Sequence, residues 1–361
     1  MPRVAALGAV TALLGAACGS ASPSGQASFD FFTGRVDAAG QGTPVATTVG
    51  PSWAGLFDRP GLQITFSLGV SAAQLQHMVD STGGSLTGAQ ANALTTGSLV
   101  VDLHSRDGAP LSKLVGTSAS GDEAEDMALR IGADTPVEFR EIGTTAYLRV
   151  QASQLLSDVG EAPAGAASFQ STLNRADAFL PGLAALGQGR WVSTDLDALR
   201  KAVPAAGAAP DPAAMEQFRQ AFGAAFAAST HWASDGTEAG RQHFTATVDV
   251  RPLVDALIDA EGRAAGTAVP GLAGQLSALR ARIDAGIPAG TTTRVEVYAT
   301  GGTVEEVDLD LKQFSAQIPA ALPVRMVFGP GAAVVAPAGA TSIDLATLLG
   351  PMLKKLHSSS L

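Results

Sequence analysis

From Gly61 onward, apolar and polar residues alternate with a period of two. Leu62, Ile64, Phe66, Leu68 and Val70 are interleaved with Gln63, Thr65, Ser67 and Gly69. This is the pattern of a strand with one dry and one wet face. It recurs at Leu99/Val101/Leu103, Met127/Leu129/Ile131, Val137/Phe139 and Ala146/Leu148/Val150. It returns in the second half at Phe244/Ala246/Val248/Val250, Val295/Val297/Ala299 and Val307/Leu309/Leu311. One-sided strands belong to antiparallel sheets. Turn sequences such as Ser105-Arg106-Asp107-Gly108 and Thr300-Gly301-Gly302 link neighbours as hairpins.

Helical periods interrupt the strands. Ser71 is placed to cap a helix whose Leu75, Met78 and Val79 share one face. Thr87-Gly88-Ala89-Gln90 fits a capping box. Pro252 suits the first turn of a helix carrying Leu253, Val254, Leu257 and Ile258. Pro270 opens another, with Leu272, Leu276, Leu279 and Ile283 on one stripe. Met215, Phe218, Phe222 and Phe226 make a further stripe after a Pro/Ala-rich link. The pattern predicts an α+β fold, a large antiparallel sheet with helical insertions. It also predicts an internal duplication, because each half runs strand, helical excursion, antiparallel meander. The first half is expected over 61–202 and the second over 203–350, with a C-terminal tail at 351–361.

The N-terminus carries an address. Arg3 precedes an apolar run from Val4 to Ala17, which ends at the only cysteine of the chain, Cys18. A charged start, a short apolar stretch and small residues before a cut describe a secretory signal. Leu14-Gly15-Ala16-Ala17-Cys18 resembles a bacterial lipobox, although Gly15 stands where a leucine is usual. Residues 1–18 are therefore expected to be a lipoprotein signal peptide, with Cys18 lipidated. An ordinary cleaved signal with a leftover thiol is the alternative, and it would give a secreted protein. The stretch is too short for a spanning helix, which needs about 20 apolar residues. Residues 19–60, rich in Gly, Ser, Pro and Thr, read as a tether that orders late, with Trp53 and Phe57 as docking points.

Composition narrows the function. The 361 residues are 46% hydrophobic, enough for a sizeable core, and the formal net charge is −10. No basic cluster is available for phosphate, so nucleic acid is excluded as a partner. Charge would also not hold the chain on anionic lipid, and a lipid anchor is the expected contact with the membrane. With one cysteine no internal disulfide can form. The five histidines show no metal-ligand spacing, and no G-x-S-x-G elbow or P-loop occurs. The acidic run Asp122–Asp126 lacks the glycine and terminal glutamate of a calcium loop and reads as solvated. His231-Trp232 reads as a pair packed near a strand end, and Trp191 as a core anchor. No catalytic residues, no metal site and no cofactor are expected, and the chain is not expected to be an enzyme.

The dry sheet face then has to be covered. Helices packed flush on it would give a solid core. Helices standing off it would leave a dry cavity able to take an acyl chain, at about 0.8 kcal/mol per buried CH₂. The sequence leaves both open. If hollow, the lining is expected from Phe66, Leu75, Met78, Val79, Val248, Leu253, Leu257 and Leu276.

The signal, the polar tether and the strands with helical covers together resemble the actinobacterial LppX/LprG-type lipoproteins, which are similar to the LolA/LolB carriers. Gly189–Leu196 is similar to a strand edge of that group, and Arg294–Val297 with Val304–Leu309 to its late paired strands. Gly329–Ala338 is similar to its closing segment. The resemblance covers about 61–350. It implies a curved half-barrel sheet whose concave face is covered by helices, and a cavity for acyl chains. The function expected is that of a monomeric lipoprotein on the extracytoplasmic face of the cell membrane, carrying a lipid or acylated molecule. The alternative is a solid-cored envelope lipoprotein that acts as a scaffold or sensor accessory through protein partners.

Overall fold

A computed structural model of the chain describes residues 44–114, 123–161, 163–178, 180–198, 225–226, 228–265, 272–314 and 318–345. Cys18, the signal, the tether up to residue 43, the stripe from Met215 to Phe222 and the tail at 351–361 lie outside these residues.

Twelve strands form one curved, unclosed sheet. In chain order they are β1 (Gly61–Leu68), β2 (Gly97–Ser105), β3 (Glu123–Ile131), β4 (Asp134–Ile142), β5 (Thr145–Val150) and β6 (Val192–Asp195), then β7 (Thr230–Glu238), β8 (Arg241–Asp249), β9 (Thr292–Thr300), β10 (Thr303–Asp310), β11 (Pro323–Pro330) and β12 (Thr341–Ser342). Their spatial order is β12-β6-β5-β4-β3-β2-β1-β11-β10-β9-β8-β7. All neighbours are antiparallel except β12, which runs parallel to β6. The halves therefore meet at the β1–β11 pair and share one continuous sheet.

The helices described are α1 (Pro44–Phe57), α2 (Ala72–Ser81), α3 (Gly88–Thr96), α4 (Leu111–Leu114), α5 (Ala152–Asp158), α6 (Pro163–Ala176), α7 (Leu183–Gly187), α8 (Val250–Ala265) and α9 (Leu272–Gly286). Two capping boxes start α2 and α3. Ser71 accepts from the Gln74 N–H and Thr87 from the Gln90 N–H, and each glutamine reaches back to the cap backbone. The order β1–α2–α3–β2 is matched by β8–α8–α9–β9. Each helix pair returns the chain to the adjacent antiparallel strand, moving the same way across the sheet. Among the described residues no helix is long and apolar enough to cross a membrane.

Three features depart from the sequence expectation. Residues 44–57, read there as the docking end of a tether, form α1, which carries the main core. Its Val49, Trp53 and Leu56 are buried against Leu62, Phe244, Val297, Val304 and Val307. These positions are spaced i, i+4 and i+7, one helical stripe. The acidic run, expected in a solvated loop, enters β3, where Asp126 pairs with Arg140 at 3.1 Å. Trp191, expected in the core, lies beside two guanidiniums, with Arg140 5.0 Å and Arg149 5.2 Å from its ring centre.

A strap closes the polar face. After β11 the chain crosses toward the far edge to form β12. Asp102 accepts from the Ala332 N–H at 3.2 Å, and Arg140 donates to the Val335 carbonyl at 2.8 Å. The Thr341 and Ile343 N–H groups then donate to Trp191 and Ser193 carbonyls at 2.9 and 2.7 Å. Gly331 is the pivot: a Cβ there would lie 2.5 Å from the Leu62 nitrogen and 2.9 Å from the Leu103 oxygen. Only glycine lets three backbones approach so closely.

Candidate functional site: the apolar sheet face

Residues directly opposite in an antiparallel ladder lie on the same face of the sheet. The register thus aligns one apolar row across nine strands: Val150, Val137, Leu129, Leu99, Phe66, Met326, Val307, Val297 and Phe244. A second row joins Val192, Leu148, Phe139, Met127, Val101, Ile64 and Phe328.

The first row is not evenly covered. Val307, Val297 and Phe244 are buried beneath α1, in the cluster that also holds Trp53 and Leu56. The six residues from Val150 to Met326 are half-buried; Met326 packs against the α1 cluster, and the five from Val150 to Phe66 do not belong to it. In the second row Leu148, Phe139, Met127 and Ile64 are half-buried as well. The helices over this half differ in how deeply they pack. α3 lies on β1, β2 and β3, and α5 lies on β4, yet α5 and α6 contribute no buried residue among those described. Phe169 on α6 and Leu94 on α3 are exposed. Among the described residues the apolar face is thus fully buried beneath α1 and half-buried over β1 to β5.

The expected lining residues fall into two groups. Phe66 lies in the half-buried part of the first row, and Leu75, Met78 and Val79 lie on α2, which follows β1; Leu75 and Met78 are buried and Val79 is half-buried. Val248 on β8 is buried, while Leu253 and Leu257 on α8 and Leu276 on α9 are half-buried. β8 stands four places from β1 in the sheet, about 19 Å at the usual strand spacing. One group is therefore tied to the middle of the sheet and the other lies near its β7 edge. Sequence reasoning missed Leu99, Leu129, Val137 and Val150 as lining positions. Their alternation was visible, but only the register shows that they share one row with Phe66.

The opposite face is polar and densely ion-paired. On its first half Glu138 is buried between Arg140 and Arg149, the latter at 2.6 Å. Burial pushes the Asp126 carboxyl up to about 6, against the pull of the Arg140 charge. On its second half Arg241 pairs with Glu306 at 2.7 Å and lies 4.3 Å from the Tyr298 ring centre. Burial raises Asp308 and Tyr298, although Arg325 pulls Asp308 back. This charge ladder marks the polar face of the sheet, opposite the apolar rows.

No family model matches the chain, and no curated protein matches it. Among solved structures the chain is similar to the crystal structure of the Mycobacterium tuberculosis lipoprotein LppX. The identity is 10% and the TM-score 0.30, over 81% of this chain and 97% of that one.

Proposed function

We propose that this protein is a cell-envelope carrier that holds the acyl portion of a lipid against the open half of its apolar sheet face. The supporting observation is the row from Val150 to Phe244, in which three residues are buried under α1, Met326 packs against their cluster, and the five from Val150 to Phe66 are half-buried among the described residues. An apolar chain entering that space would gain about 0.8 kcal/mol for each CH₂ removed from water. The signal-like N-terminus and its Cys18 support a carrier held beside the membrane from which it would take its ligand. The function is binding and release, without a chemical step.

A titration with a fluorescent long-chain fatty acid tests this reading. Saturable binding near one molecule per chain, displaced by unlabelled phospholipid, is the expected result. Fluorescence that rises without saturation, as for non-specific surface adsorption, rules the carrier out. The anchor has its own test: Cys18→Ser is expected to move the protein from the membrane fraction to the soluble fraction, and unchanged membrane retention would contradict lipidation.

A further inference from the structure

We infer that Asp235, His243 and Glu296 form a site for one divalent transition-metal ion, with Zn²⁺ as its fitting member. The three residues come from β7, β8 and β9, at one end of the polar face, remote from the open apolar half. Each offers one ligand atom, and the three atoms lie within 4.8 Å of one another. One imidazole nitrogen with two carboxylate oxygens is a donor set suited to zinc, with a fourth position left for water. Few oxygens converge here, which disfavours calcium, because that ion takes six to eight.

The arrangement around the donors points to a ligand as well. The His243 ring is held flat on Tyr298, with ring centres 4.6 Å apart and planes 6° from parallel. Its Nδ1 faces the Glu238 carboxylate at 3.5 Å, and its Nε2 faces Glu296 Oε2 at 2.9 Å. A proton on Nδ1, facing Glu238, would leave Nε2 for a cation shared with Glu296, the carboxylate–histidine–metal relay found around ligating histidines. Glu296 is oriented as well: Arg294 pairs with its Oε1 at 3.1 Å, and Oε2 is the oxygen that faces His243.

Thr245 adds an independent constraint. Its hydroxyl oxygen lies 2.5 Å from Asp235 Oδ2 and 2.8 Å from Glu296 Oε2. A hydroxyl carries one proton and can donate to only one of them. The same oxygen accepts from the Arg294 guanidinium at 3.1 Å, so Thr245 holds both carboxylates about one point. Asp235 reaches this point because the ladder between β7 and β8 shifts register between Ser234 and Gly236, and Gly236 takes a φ of +91°.

The test is calorimetry of the full chain with Zn²⁺ alone, after treatment with a chelator. One Zn²⁺ per chain at micromolar affinity or tighter is expected. Asp235→Asn and His243→Gln should each weaken it by at least about tenfold. Asp235 is exposed, so its variant should retain the wild-type unfolding midpoint in the absence of metal. No stoichiometric binding to the wild-type chain overturns the site, and so does an affinity unchanged in both variants.

Discussion

Leu56→Ala is the sharpest probe of how this chain holds its sheet. Leu56 lies in α1, within a segment whose composition reads as linker, yet it is 1% exposed and packs in the main core cluster. The substitution removes three carbons, about 2.4 kcal/mol at about 0.8 each. It also leaves a hole in a cluster where Trp53, Leu62 and Val304 are themselves buried. Cavity costs bring buried leucine-to-alanine changes to about 2.7–5 kcal/mol, and a value of about 3–4 is expected here. Phe57→Ala on the same helix, at a half-buried position, should cost less than its size implies. Urea unfolding followed by tryptophan fluorescence gives both values from midpoint shifts at constant slope. A loss under about 1 kcal/mol for Leu56→Ala would show that 44–57 is a docked tether and not a core helix.

Other outcomes follow from particular residues. Gly331→Ala places a methyl group against the backbones of β1 and β2, so it should destabilise by about 1–3 kcal/mol, whereas Gly329→Ala enters open space and should cost under about 0.5 by the same urea assay. Ser71→Ala removes one half of the α2 capping box and should cost about 1 kcal/mol. Asp126 titrates at about 6 in the fold, above its ordinary 3.8, so the native state binds its proton more readily than the unfolded state. Its contribution is present below about pH 4 and is lost as pH rises through about 6. Asp126→Asn should therefore flatten the fall in stability across that window, and an unchanged slope would contradict the burial of this carboxyl.

Much of the sheet was legible because its strands face water on one side. The alternations at 62–68, 99–103, 127–131, 244–248 and 295–299 all lie in strands. β11 shows the same period in Val324, Met326 and Phe328, but the flanking Pro323 and Pro330 make it look like a loop. β7 lacks alternation altogether; Thr, Ser, Gly, Asp and Glu predominate, and edge pairing with β8 sets its conformation. α1 contains Gly50, Pro51 and β-branched residues, all poor helix formers. Its helix rests on the burial of Val49, Trp53 and Leu56, a tertiary effect that local propensity does not carry. The strap and the His243 cluster depend on contacts between residues far apart in sequence, and no local pattern encodes them. The uneven cover over the apolar row is of the same kind. Every strand in it carries the same alternation, and only the placement of α1 separates the sealed end from the open one.

Native mass spectrometry of the chain purified from a bacterial envelope, beside a Leu129→Trp variant, tests the open apolar half most directly. Leu129 is half-buried in the middle of the stretch from Val150 to Phe66. The wild-type protein should carry close to one acyl-chain lipid per molecule. The variant should emerge free of lipid with an almost unchanged unfolding midpoint, because its indole would take the place proposed for the acyl chain. A lipid-free wild-type mass in repeated preparations, or a variant destabilised by the about 1–3 kcal/mol typical of an overpacked core, would contradict the carrier.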